Sequence, residues 1–354
     1  MKFFNSLTLM VSLVSATPVL LSKRGQPLTI ELARDGNTGI KATLTNSGNS
    51  TLKLFTPGTI LDSSAVEKVA VFSNNSRVPF EGVRLRMAPQ EFITDASFRT
   101  VRAGEVINID IDFARLHDVS KGGNYDVLVN AHIPYAKGNS TELDGTYALV
   151  SNKLHIQNVD AANATLTRIN FNNKIKRTAV QADCKGTQLA TVTTALGNCV
   201  KLARAAADAT KKNDKRMNEY FKNSTAAAKT IVADTFNKVV TECTKGKSSS
   251  KQYCTDVYTS CVPGVLAYTV PVFNYMVNCP LYFTALTDLA TTCHGQDRAT
   301  TTLHEMTHLV QVKGTLDYGV YGYDAVKALK SAENLNHADT YCLFANAINL
   351  GTSC

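Results

Sequence analysis

All nine cysteines of this chain lie in its second half: Cys184, Cys199, Cys243, Cys254, Cys261, Cys279, Cys293, Cys342 and Cys354. No C-x-x-C pair occurs among them. Such crowding suits an exported domain stapled by disulfides better than a structural metal site. An odd number leaves at least one thiol unpaired or linked to another chain. The first residues point the same way. MKFFNSLTLMVSLVSA carries Lys2, an apolar run and small residues at Val14 and Ala16, the pattern of a signal peptide over residues 1–16. That run is too short for a membrane anchor, and no later segment qualifies. A secreted protein with no membrane partner is expected. Asn-x-Ser/Thr acceptors at Asn49, Asn74, Asn139, Asn163 and Asn223 fit a secreted glycoprotein. The formal charge of +8 comes without a long Lys/Arg block. It reads as solubility, not as a nucleic-acid footprint.

The two halves differ in texture. Over residues 25–155, LTIELA, IKATLTN, STLKLF, KVAVF, VRLRM, VINIDIDF, NYDVLVNAHI and YALVSNKLHI alternate apolar with polar between turn residues. This spacing predicts a β-sandwich, and no chemical constellation is visible in it. The polar stretch NNKIKRTAV then reads as a connector, with the dibasic pair Lys176-Arg177 at the change of texture. A secretory processing protease is expected to cut after Arg177. Residues 17–177 would be a propeptide, acting as inhibitor or folding aid, and the mature chain would be 178–354. LATVTTALGNCVKLARAAADATKK and MNEYFKNSTAAAKTIVADTFNKVVTEC space apolar residues three and four apart, as helices do. Residues 262–285 read as short strands with turns. The expected fold class is α+β: a β-sandwich-like propeptide, then a helix-rich domain with a small sheet.

The chemistry sits in LHEMTHLVQVKGTLDYGVYGYD, residues 303–324. Asp297 is a candidate N-cap for a helix from about Arg298 to Val312, with Leu303, Met306 and Val310 toward the core. His304 and His308 are one turn apart, so both imidazoles can bind one ion. Glu305 points elsewhere and can take a proton from the attacking water, which is the mechanical sense of H-E-x-x-H. The third ligand is open. Gln311 and Gly314 exclude the extended metzincin pattern, which needs Gly and His there. Glu333 would serve if a second helix supplies the ligand, as in gluzincins. Asp317 would serve if Gly314 ends the helix and the chain doubles back.

HEMTH followed by GTLDYGVYG, behind an upstream segment ending in Lys-Arg, resembles the fungal deuterolysins, the neutral protease II group of aspzincin metallopeptidases. The resemblance spans signal, propeptide and mature part, including the final cysteine. It implies a secreted zinc metalloendopeptidase made as a zymogen, acting on protein and peptide substrates as a monomer. One zinc ion per chain would be held by His304, His308 and Asp317, with Glu305 as general base. Tyr321, of the Tyr-Gly element, would support the oxyanion; Tyr318 and Tyr323 are its neighbours and alternatives. Asp339 would orient a zinc histidine. Implied disulfides are Cys184–Cys254, Cys261–Cys279 and Cys293–Cys354. Cys199 and Cys243 can then link the two long helices, leaving Cys342. The rival outside catalysis is an inactive secreted cysteine-rich binding protein, which need not keep both Glu305 and Asp317.

Overall fold

The computed structural model describes residues 26–178, 183–244 and 247–354. The expected signal peptide lies outside the described residues. The N-terminal part consists of β1 (Leu28–Asp35), β2 (Gly39–Asn46), β3 (Leu52–Phe55), β4 (Ala70–Ser73), β5 (Ser76–Arg77), β6 (Arg84–Met87), β7 (Phe98–Val101), β8 (Val106–Asp112), β9 (Gly123–Leu128), β10 (Asn130–Ala136), β11 (Leu143–Val150) and β12 (Leu154–Val159). Helix α1 (Ala161–Thr178) follows. The strands obey their alternation: in β1, Leu28, Ile30 and Leu32 are buried while Thr29 and Glu31 are exposed. They form sheets of order β1-β2-β8, β11-β10-β3-β7 and β12-β9-β4-β5. Ile40, Leu44, Leu54, Val71, Phe113, Val127, Ile133 and Ile156 meet in one core between them.

Three local expectations change. NYDVLVNAHI and YALVSNKLHI each divide into two strands that enter different sheets. Side chains take over part of the backbone ladder at these breaks, although Ser151 N still donates to Val129 O at 3.0 Å. Asn152 accepts from the Leu32 amide at 2.7 Å and donates to its carbonyl at 3.0 Å, and Ser151 Oγ accepts from the Val129 amide at 2.8 Å. The polar connector takes helical form, since α1 carries the backbone through Lys176 and Arg177 to Thr178. Residues 179–182, just beyond the expected cut, lie outside the described residues.

The C-terminal part opens with α2 (Gly186–Lys212), α3 (Asp214–Phe221) and α4 (Ala226–Cys243). The second long helical pattern breaks where Lys222 turns left-handed, at φ 51°, and Thr225 caps α4 by accepting from the Ala228 amide. Then come β13 (Lys251–Tyr253), β14 (Val265–Val270), β15 (Tyr275–Asn278), α5 (Pro280–Ala285), α6 (Arg298–His308), α7 (Gly322–Ala328), α8 (Ser331–Asn334) and α9 (Ala338–Leu350). Phe221, Phe236, Tyr341 and Phe344 pack edge-on and stacked at the centre of the helices. Disulfides join Cys184 to Cys254, Cys199 to Cys243, Cys261 to Cys279 and Cys293 to Cys354; Cys342 is free and buried. No helix among the described residues is long and apolar enough to cross a membrane.

VRLRM does not belong to the N-terminal sheets. It leaves them as β6 and completes a C-terminal sheet of order β13-β15-β14-β6. Phe55, Val83, Leu85 and Met87 there share a buried cluster with Tyr253, Tyr258, Val265, Tyr268 and Val277. The two textures are thus joined by a continuous hydrophobic contact.

The loop leading into β6 is anchored by His117, which bridges Phe80 and is 2% exposed, with Nδ1 unpaired. Burial depresses its pKa, while Glu67 opposes this and Arg77 adds to it. The folded chain therefore binds this proton less readily than the unfolded chain does. Its contribution is full above the unfolded value of about 6.5 and declines as pH falls below it. We expect the urea midpoint of the N-terminal part to fall between pH 7 and pH 5, and to fall less in His117→Gln. Equal slopes in both proteins would contradict this.

Candidate metal centre

The helix α6 is built to bring polar groups inside. Asp297 accepts from the Thr300 amide at 2.6 Å while Thr300 Oγ1 accepts from the Asp297 amide at 3.1 Å, forming a capping box. Arg298 is partly buried, and every later residue of α6 is buried, so its histidines are held in protein on all sides. The helix stops at His308, earlier than expected. Thr315 N bonds Thr307 O and Gly314 N bonds Leu309 O, with Gly314 at φ 68°. Val310 thus falls off the helical period and is 67% exposed, against the expectation that it packs inward; Leu309 and Val312 are buried instead.

The chain then returns. Leu316 pairs with His337 in a parallel bridge at the start of α9. Asp317 O accepts from Val320 N across a turn whose central residues, Tyr318 and Gly319, have φ of 53° and 69°. A left-handed tyrosine costs roughly 1–2 kcal/mol. His337 Nε2 donates to Val320 O at 3.1 Å and fastens the far side of that turn. This return sets Asp317 Oδ1 3.3 Å from His304 Nε2 and 3.4 Å from His308 Nε2, which are themselves 3.1 Å apart. Asp317 Oδ1 is buried with no aligned hydrogen bond.

Those separations fit an ion. Tetrahedral metal–ligand bonds of about 2.0–2.1 Å put neighbouring ligand atoms about 3.3–3.4 Å apart. The other ring nitrogens are occupied, which leaves both Nε2 lone pairs for a metal. His308 Nδ1 donates to Thr315 O at 2.9 Å, and His304 Nδ1 lies 3.0 Å from Asp339 Oδ1. Burial, with Arg86 beside it, holds His304 well below its usual pKa. Burial also opposes charge on Asp317, but the two imidazoles hold it well below the usual carboxylate range.

Glu305 stands outside the three-donor group. Its Oε2 accepts from Thr269 Oγ1 of β14 at 2.6 Å, and Oε1 has no partner. Burial pushes this carboxyl up to about 7, against the charge of His308 and the Thr269 bond. Of the three tyrosines, Tyr321 reaches the centre: its ring lies 6.5 Å from that of His304, and burial keeps its phenol protonated. Tyr318 is 36% exposed, and Tyr323 stacks on His294 and bonds Glu219. Glu333 is drawn elsewhere, accepting from the Lys330 amide at 2.7 Å as a cap of α8. Asp339 Oδ2 accepts from the Gly322 amide at 2.6 Å.

Sequence reasoning missed Thr269, Thr315, His337 and Arg86. Thr315 and His337 stand beside motif residues, but hydroxyl and carbonyl contacts leave no periodic trace. Arg86 lies in the half read as chemically silent. Its side chain is 1% exposed and ion-paired with Asp339.

Two imidazoles, a returning carboxylate and a separate glutamate are the groups of a metal-dependent hydrolase. The model of the deuterolysin metalloprotease (M35) family matches residues 1–352. A neutral protease 2 homolog of Colletotrichum graminicola is 47% identical over 354 residues, covering 99% of this chain and 100% of its own. One from Phaeosphaeria nodorum is 46% identical, covering 98% and 99%. A zinc peptidase structure from Grifola frondosa covers 46% of this chain and 97% of its own at TM-score 0.38 and 18% identity, too remote to bear on the site. The chain belongs to the deuterolysin metalloprotease family, and it is a metalloprotease.

Removing a donor tests the centre. Asp317→Ala should lose most bound zinc, measured per mole of folded protein, and with it the activity. Glu333→Ala should keep both. The reverse pair of results would move the third ligand to α8.

Proposed function

We propose that the chain is a secreted zymogen of a zinc endopeptidase, in which His304, His308 and Asp317 hold one zinc ion. The observation that carries this is the convergence of those three donors at 3.1–3.4 Å around an unpaired buried carboxylate oxygen. A nitrogen and carboxylate donor set of this size suits zinc. When bound, zinc would acidify a water and polarise the scissile carbonyl.

The remaining work falls to side chains. Glu305, steadied by Thr269 and with Oε1 free, takes a proton from the attacking water and delivers it to the leaving nitrogen. Tyr321 donates to the carbonyl oxygen as negative charge grows there. Asp339 and the Thr315 carbonyl keep the two imidazoles in the tautomer and orientation that bind metal. Residues 17–177 form the propeptide and mask the cleft until a dibasic processing protease cuts after Arg177. The four disulfides, the leader-like first residues and the family match at full length support export.

Glu305→Gln should retain zinc and lower casein digestion by about 10²–10⁴-fold, since the amide keeps shape but cannot take the proton. Ordinary turnover by the variant would remove Glu305 from the role of base. N-terminal sequencing of the secreted product should read TAVQADC. A stable secreted chain still beginning near Thr17 would contradict the zymogen.

A further inference from the structure

β6 does more than join the halves. In the order β13-β15-β14-β6, β14 has a protein partner on one side, and β6 covers the other. β6 runs antiparallel to it, with Thr269 opposite Arg84, Tyr268 opposite Leu85, Ala267 opposite Arg86 and Val265 opposite Met87. A peptide added to a sheet edge is held through its backbone and read through its side chains. The edge is also the one that carries Thr269, the partner of Glu305.

One peptide bond of β6 is singled out. Tyr321 donates its hydroxyl to the Leu85 carbonyl oxygen at 3.1 Å. The next residue, Arg86, sends its guanidinium into the interior. There Nη1 pairs with Asp339 and lies 3.2 Å from His304 Nδ1, and Nη2 lies 3.8 Å from Cys342 Sγ. So a carbonyl rests on the phenol beside the metal donors, and the following side chain fills a closed pocket with an acidic wall. A protease holds the bond it cuts in this way: backbone on a strand, carbonyl on a donor, neighbouring side chain in a fitted pocket.

We propose that Leu85–Arg86 is a substrate bond of the chain's own centre, and that the enzyme severs its N-terminal half within β6. This rests on the function proposed above. One water is consumed. Glu305 takes its proton as oxygen adds to the Leu85 carbonyl carbon, and the C–N bond to Arg86 breaks. Leu85 ends as a carboxylate. The Arg86 nitrogen receives the proton and leaves as an amine. No other reactant is needed. Leu85 and Met87 are buried on either side of the bond, so the nicked strand remains docked until the N-terminal part departs. Arg86 is a positioning residue for this cut, because it fixes the strand through Asp339.

The test uses the full chain, stripped of metal by a chelator and then given zinc. Intact mass and N-terminal sequencing should show a new end reading RMAPQEF, absent in Glu305→Gln. Arg86→Ala should slow this cut by about 10–100-fold, the effect of losing a buried charge-assisted bond, and Arg86→Lys should restore much of it. A second readout needs no turnover: in metal-free protein, Arg86→Ala should speed hydrogen exchange of the β14 amides, and unchanged exchange would count against docking through Arg86. Casein digestion after treatment with a dibasic-cutting protease separates the failures. Casein cut with no RMAPQEF end would overturn the self-cleavage and leave the proposed function standing. Neither substrate cut would overturn both.

Discussion

Three groups placed to share a metal ion can stand in a protein interior only if the other polar atoms on them are satisfied. His304 and His308 reach the interior on α6, a helix buried from Ala299 onward, where an unpaired imidazole or carboxylate costs several kcal/mol. The structure meets that cost atom by atom. Asp339 takes one imidazole, the Thr315 carbonyl takes the other, and both acceptors come from segments that also fix Asp317. What remains unpaired, Asp317 Oδ1 and Glu305 Oε1, is what a metal and a water would use. The left-handed turn at Tyr318–Gly319, the His337 clamp and the bridge between Leu316 and His337 all follow from holding a short aspartate at that point.

The same centre explains why the N-terminal half is more than a passenger. Its own core is closed by the N-terminal strands other than β6 together with Ala164 of α1, with no residue from α2 onward. Yet β6 departs from that core to cover β14 and to lay Arg86 against Asp339. An arginine this buried is stable only with its charge answered. Asp339 therefore serves partners from both halves: the imidazole of His304, the Gly322 amide and the Cys342 thiol from the C-terminal half, and the guanidinium of Arg86 from the N-terminal one. If β6 leaves as proposed, the pocket that holds Arg86 would open toward the next peptide to add to β14.

Much of this was legible in the sequence where periodicity or a fixed spacing carried it. Alternation in LTIELA and IKATLTN, the Asp297 cap and the four-residue step from His304 to His308 each describe a local geometry. Long-range choices left no such mark. NYDVLVNAHI reads as one strand because its pattern does not lapse at Val129; Ser151, far along the chain, takes the ladder's place there. Val310 fits the helical wheel, but the helix stops at His308 because the Gly314 turn draws the backbone away. Arg86 alternates correctly for a strand's polar face. Only the fold shows that this face meets a buried carboxylate rather than water.

The central claim is that the metal is held by His304, His308 and Asp317. A second group, His304, Asp339 and Cys342, also lies close enough to share an ion. The two differ in one element. X-ray absorption at the zinc edge of the zinc-loaded protein distinguishes them directly. The account predicts a shell of nitrogen and oxygen at about 2.0–2.2 Å with no sulfur, whereas a sulfur scatterer at about 2.3 Å would contradict it.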